Sequence, residues 1–253
     1  MQKLKIIDSH CHPQFSKYDE DRYKVIERSL DAGVGIIVVG TDFESSREAV
    51  EIAQKYDNVW ATVGIHPNDT DDDFDIEPYK ILLDEEKVVA IGEVGLDYFR
   101  TPDEQGRENQ RKVLRQWLKL AEEDSTPMVF HCRDSYDDVL EAVSEFGNIR
   151  GVIHSFTSDI ELANYFIQRG LYIGLNGIVT FSQEYDNLVE NIPLESLLVE
   201  TDSPFLSPHP HRGERNEPLR VSIISDYIAR KKGMSVEELN KITLQNTKQL
   251  FNL

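Results

Sequence analysis

One unit recurs along the chain: a short β-branched run, then a loop, then a helical pattern. That repeat restricts the fold more than any other feature. The runs are K-L-K-I-I-D (3–8), G-I-I-V-V-G (35–40), V-W-A-T-V-G (59–64), V-V-A-I-G (88–92), P-M-V-F-H (127–131), G-V-I-H (151–154), L-Y-I-G-L (171–175) and L-L-V-E-T-D (197–202). They are continuously apolar rather than alternating, as parallel strands covered on both faces are. Amphipathic patterns lie between them at 20–32, 44–57, 104–123, 134–146 and 158–169. The first stops at Gly33; the last opens with Ser158 and Asp159 and closes before Gly170. Eight strands alternating with helices over 253 residues predict an α/β fold, a (β/α)8 TIM barrel occupying 1–253 as one domain. An open doubly wound sheet is the alternative, but no G-x-G-x-x-G follows any run.

The rare polar residues gather at one end of this repeat. His10 and His12 close the first run, His66 follows the third, Glu93 the fourth, His131 and His154 end the fifth and sixth, and Asp202 ends the eighth. In extended backbone residues i and i+2 share a face, so His10 and His12 can reach one ion while Cys11 points away. Five of the seven histidines thus fall at carboxyl ends of strands, which converge on the rim where barrel enzymes hold their active sites. Taken singly, each reads as a loop or satisfied core histidine; together they read as a site. His10, His12, Glu93, His131, His154 and Asp202 could hold two divalent ions, with Glu93 able to bridge them. Imidazole and carboxylate suit zinc, manganese or iron, and carboxylate and water admit magnesium.

Composition bounds what such a site can meet. The net charge of −19 opposes a general grip on nucleic acid, which basic patches normally supply. No run approaches the roughly 20 apolar residues of a membrane span, the N-terminus shows no secretory pattern, and two cysteines make no disulfide framework. The expectation is a cytoplasmic protein with no membrane association and no evident obligate protein partner.

The motifs D-S-H-C-H, G-I-H-P, A-I-G-E-V-G-L-D-Y, P-M-V-F-H-C-R-D, G-V-I-H-S-F, V-E-T-D-S-P, G-E-R-N-E-P and N-T-K-Q-L-F occur in that order, nearly end to end. In these the chain resembles the TatD family of metal-dependent hydrolases within the amidohydrolase-like barrel superfamily. The resemblance implies ligands at His10, His12, Glu93, His131, His154 and Asp202. It also implies hydrolysis of phosphodiesters, typically a deoxyribonuclease acting on single strands from the 3′ end. Ser155 and Ser158 stand where the family often has Cys and Gly, a departure that bears on substrate preference rather than metal binding.

Within that reading Asp202 is the expected general base as well as a ligand, and Glu200, on the same strand face, its support. His66 could contact the phosphate or donate to the leaving oxygen. Arg133 and Arg215 could hold phosphate bidentately, and Tyr98 and Phe99 could stack on a base. The acidic stretch 68–75 reads as a solvated loop, Trp60 and Trp117 as core. Two alternatives stay open: a metal-dependent hydrolase of a small ester or amide, including an aminoacyl-tRNA deacylase, which the negative charge favours; and a non-catalytic barrel, which the full ligand set opposes.

Overall fold

The computed structural model describes residues 3–71 and 73–253. Eight strands form one sheet in chain order: β1 Ile6–Cys11, β2 Val34–Val39, β3 Val59–Val63, β4 Val88–Asp97, β5 Met128–Arg133, β6 Gly151–Ile153, β7 Leu171–Leu175 and β8 Leu197–Val199. Every neighbouring pair is parallel. The sheet meets itself beyond the end of β8, where Cys11 bridges Ser203, Asp202 N donates to His10 O at 2.9 Å and His12 N to Ser203 O at 2.7 Å. This is the barrel that the eight runs predict.

Its helices are α1 Arg22–Asp31, α2 Phe43–Ala53, α3 Glu77–Leu83, α4 Glu104–Asp124, α5 Tyr136–Ser144, α6 Ile160–Ile167, α7 Asp186–Asn191, α8 Val221–Lys231 and α9 Val236–Phe251. Several begin at side-chain caps: Asp42 accepts from Ser45 N at 2.7 Å, Asp103 from Gly106 N at 2.9 Å and Asp159 from Leu162 N at 2.8 Å. None of these helices is long and apolar enough to cross a membrane.

Alternation along the strands divides the core. Ile36 and Val38 of β2 face the helices in the larger apolar cluster. Ile37 and Val39 join Ile7, Ala90, Val129, Val152 and Leu198 inside the barrel, with Leu250 and Phe251 of α9 packed against them.

Strand ends differ from the sequence reading at the site, most at β4 and β8. β4 continues through Asp97, so Glu93 lies within it rather than after it, while β8 stops at Val199 and leaves Asp202 in the following loop. Helices α3, α7, α8 and α9 lie outside the five patterns read from the sequence.

Candidate metal centre

Five of the six expected ligands, His12, Glu93, His131, His154 and Asp202, line one cavity of about 550 Å³ at the carboxyl ends of the strands, and the sixth, His10, is buried against Glu93 and Asp202. His10, His12, Glu93 and His154 are buried. Glu93 stands between two imidazole pairs. Its Oε2 lies 3.4 Å from His10 Nε2 and 3.9 Å from His12 Nε2; its Oε1 lies 2.7 Å from His131 Nδ1 and 3.0 Å from His154 Nε2. Asp202 closes the first group, 3.4 Å from His12 Nε2 and 3.8 Å from His10 Nε2. Its backbone is left-handed (φ 53°). The Asn216 amide holds the loop around it by donating to Thr201 O at 3.0 Å and Phe205 O at 2.7 Å.

A buried outer layer orients these groups. His12 Nδ1 donates to Val39 O at 2.8 Å, which leaves its Nε2 lone pair directed into the cavity. Asp97 Oδ2 lies 3.3 Å from His131 Nε2 and accepts from Asn68 Nδ2 at 3.0 Å, while its Oδ1 accepts from Arg100 N at 2.9 Å. Glu200 Oε1 accepts from Ser155 N at 2.6 Å. It also lies 3.3 Å from His154 Nδ1, a charge contact whose angle falls short of a hydrogen bond. Asp8 accepts from Thr201 N at 2.8 Å and Thr201 Oγ1 at 2.6 Å, tying β1 to the loop that carries Asp202.

Burial opposes charge at His10, His66, Glu93 and Asp202. It lowers His10, with His154 adding to the effect, and brings His66 down to about 4. It would raise Glu93, yet His154, His66 and the bonds from His10 and His131 outweigh it and hold this carboxyl well below its ordinary range. Asp202 is likewise lowered, burial being outweighed by His12, His10 and His154. Ionised carboxylates clustered with imidazoles are the donor set that divalent cations take. Nε2 of His10 and His12 face each other at 3.0 Å, and His131 Nδ1 and His154 Nε2 at 3.4 Å. These residues therefore fit a metal centre.

The peripheral candidates separate. His66 lines the cavity; its Nδ1 accepts from Asn68 N at 3.2 Å, so Nε2 carries the proton and suits a donor better than a ligand. Arg133 lines the cavity too, with its guanidinium 4.0 Å from the centre of the Phe99 ring. Arg215 is not brought there. It is engaged by both oxygens of Asp21, each at 2.7 Å, by Lys17 O at 2.9 Å and by the ring of Tyr18. The bidentate partner of this arginine is a carboxylate of the protein itself. Tyr98 is buried, its hydroxyl bonded to Asp138, while Phe99 is exposed. The stretch 68–75 is more than a solvated loop: Asn68 holds Asp97, and Asp69 lines the cavity; Asp72 lies outside the described residues. Trp117 is fully buried, and Trp60 packs against the inner cluster.

Asp97 and Asp8 are site residues that the sequence reading passed over. Asp97 had a legible signal, since Glu93, Gly95 and Asp97 share one strand face at a period of two.

The chain matches the family described as TatD related DNase over residues 7–252. It is 39% identical over 255 residues to YabD of Bacillus subtilis (strain 168), described as an uncharacterized metal-dependent hydrolase, covering 98% of this chain and 99% of that one. YcfH of Escherichia coli (strain K12), described in the same words, is 36% identical over 259 residues, covering 98% and 96%. The crystal structure of the TatD homologue YjjV from E. coli K12 superposes with a TM-score of 0.91 at 29% identity, covering 99% of both chains. With likeness running from one end of the barrel to the other, the chain belongs to the TatD-related DNase family and is a metal-dependent hydrolase of that family.

Proposed function

We propose that residues 1–253 act as one divalent-metal-dependent phosphodiester hydrolase, a deoxyribonuclease that shortens single-stranded DNA from its 3′ end. The observation that carries this reading is Glu93, which turns one oxygen to the His10–His12 pair and the other to the His131–His154 pair. A carboxylate so placed could be shared by two ions, where superfamily members that cleave amides often have a modified lysine. Two ions of magnesium, manganese or zinc would be held by His10, His12 and Asp202 on one side and His131 and His154 on the other, with Glu93 shared. Bound there, such ions supply Lewis-acid charge to a phosphate and bring the pKa of water from about 15.7 to near 7.

The remaining chemistry belongs to the chain. Asp202, ionised and at the cavity wall, takes the proton of the attacking water as general base. His66, neutral with its proton on Nε2, donates to a phosphate or leaving oxygen. Arg133 and Arg100 face the same space and neutralise phosphate. Asp97 and Glu200 fix the rings of His131 and His154.

A turnover screen of the metal-reconstituted enzyme tests the proposal. The panel is labelled single- and double-stranded DNA, RNA, small phosphodiesters, aminoacyl-tRNA and simple esters and amides. Progressive loss of 3′ nucleotides from single-stranded DNA is expected. Brisk ester or amide hydrolysis without phosphodiester cleavage would overturn it in favour of the small-molecule or deacylase activity that the charge of −19 suits.

A further inference from the structure

Six large apolar side chains stand well exposed among the described residues. Tyr23, Ile81 and Tyr165 lie on the outer helices α1, α3 and α6. The other three, Phe99, Phe181 and Phe205, lie on the loops after β4, β7 and β8, at the end of the barrel that holds the cavity. Each has a cation over one ring face. Arg133 lies 4.0 Å from the centre of Phe99, Arg212 3.7 Å from Phe181 and Lys17 4.5 Å from Phe205. The three residues are nonetheless 60%, 41% and 42% exposed, so each keeps open apolar surface beyond its cation. None of these three cations has a carboxylate partner among the described residues. Nearby Arg28, Arg215 and Arg220 are neutralised by Glu217, Asp21 and Glu214. In a chain of net charge −19, free cations paired with exposed aromatic rings at a cavity mouth call for a ligand that offers both a flat apolar face and an anion.

Two of the stations lie on loops that pack together. Phe205 lines the cavity beside Phe15, whose ring stacks on the ligand His12 at 4.6 Å and meets Phe205 edge-on at 6.2 Å. Phe181 lies on the next loop, which packs tightly against the loop of Phe205. A Cβ at Gly177 would sit 2.0 Å from Leu206 O, and His209 N donates to Thr180 Oγ1 at 2.9 Å. Arg212 is fixed there by its bond to Ser207 O at 2.9 Å.

We infer that Phe205 and Phe181 form a two-station stacking ridge for a single-stranded polynucleotide, running out of the metal centre over the loops after β8 and β7, with Lys17 and Arg212 taking the flanking phosphates. This rests on the phosphodiesterase reading and adds to it the wall along which the strand lies and the bases it holds. Stacking on phenylalanine tolerates any base, because every base has a π-face. It also explains how a strongly acidic protein could keep hold of a polyanion: part of the grip is apolar.

Binding of a fluorescent single-stranded oligonucleotide with hydrolysis-resistant phosphorothioate linkages, measured by anisotropy on the metal-loaded enzyme, tests the ridge. An oligomer of equal length carrying abasic units at its 3′ end provides the comparison. The abasic strand should bind more weakly. Phe205→Ala and Phe181→Ala should each weaken the base-containing strand by about five-fold or more, with little effect on the abasic one. Tyr165→Ala, on an outer helix, should change neither. Equal affinity of the unmutated protein for the two strands, or full affinity in both phenylalanine variants, would overturn the inference. Base-selective binding without hydrolysis of any phosphodiester would remove the hydrolytic reading and keep the ridge. Hydrolysis with base-blind binding would do the reverse.

Discussion

Glu93 is the residue on which the centre turns, because both imidazole pairs face its carboxylate. Glu93→Gln keeps the volume and removes the charge, and an amide is a poor ligand. Elemental analysis should therefore find metal content reduced in both positions, with turnover falling at least about a hundred-fold. Normal occupancy of both would contradict the bridging role. Asp97→Asn should lower metal affinity or activity by about ten- to a hundred-fold, because it weakens the partner that orients His131. Arg215 calls for a different experiment. The guanidinium of Arg215 lowers the Asp21 carboxyl; Glu217 is lowered because Arg28 and Arg215 outweigh the effect of burial. Depressed folded pKa values stabilise the native state above the ordinary carboxylate range, and the contribution is lost as pH falls through the folded values. Arg215→Ala should cost about 1 kcal/mol near neutrality, since the groups are partly exposed. Denaturation at about pH 7 and about pH 3 should show the deficit shrinking in acid. A deficit that persists undiminished there would rule out the ion-pair account.

Among the elements, β4 departs most from an ordinary barrel strand. It is ten residues long and carries both Glu93 and Asp97. Gly95 between them has φ 146°, and a Cβ there would sit 2.0 Å from the carbonyl oxygen of His131 on β5. Backbone cannot yield as a flexible side chain would, so Gly95→Ala should destabilise the fold by about 3 kcal/mol or more, read as a lowered denaturation midpoint. A variant of unchanged stability would show that β4 and β5 separate more easily than their packing implies. The loop after β8 depends on other elements in the same way. Asn216 of G-E-R-N-E-P bonds to the backbone on both sides of Asp202, so this motif supports the centre without entering it.

For the molecule as a whole, charge sets the expectation. Among the described residues the free cations at the rim are few: Lys17, Arg100, Arg133 and Arg212. Each phosphate neutralised on a single strand contributes roughly 0.7 to the salt slope. The Michaelis constant for a 3′-labelled oligonucleotide, measured across monovalent salt at fixed divalent metal, should therefore show a slope equivalent to about one to three phosphates. A slope equivalent to about six or more would require a basic groove that these four residues do not form. Metal removal should leave a folded barrel by circular dichroism and abolish turnover, because the two apolar clusters form without the ligands.

The sequence alone determined the barrel and the gathering of the six candidate ligands at its rim, and for one reason. Both are written in local order: continuous apolar runs specify parallel strands, and a residue at the end of such a run reaches the common rim whatever its distant partners are. Short helices such as α3 and α7, of seven and six residues, carry too few turns for a period to show. Helices α8 and α9 follow one another with no strand between, outside the repeat that made the others legible. Everything that depends on a partner far along the chain was decided by tertiary structure. Arg215 reads in sequence as a free phosphate clamp and is consumed by Asp21, 194 residues away. Asp97 has no role assigned from sequence and becomes the support of His131 only because β4 runs past Glu93. Phe205 and Phe181 carry no pattern at all. Their exposure and their cations, Lys17 from the segment after β1 and Arg212 from the loop after β8, exist only in the assembled rim, since exposure is a property of the folded surface rather than of any local stretch of chain.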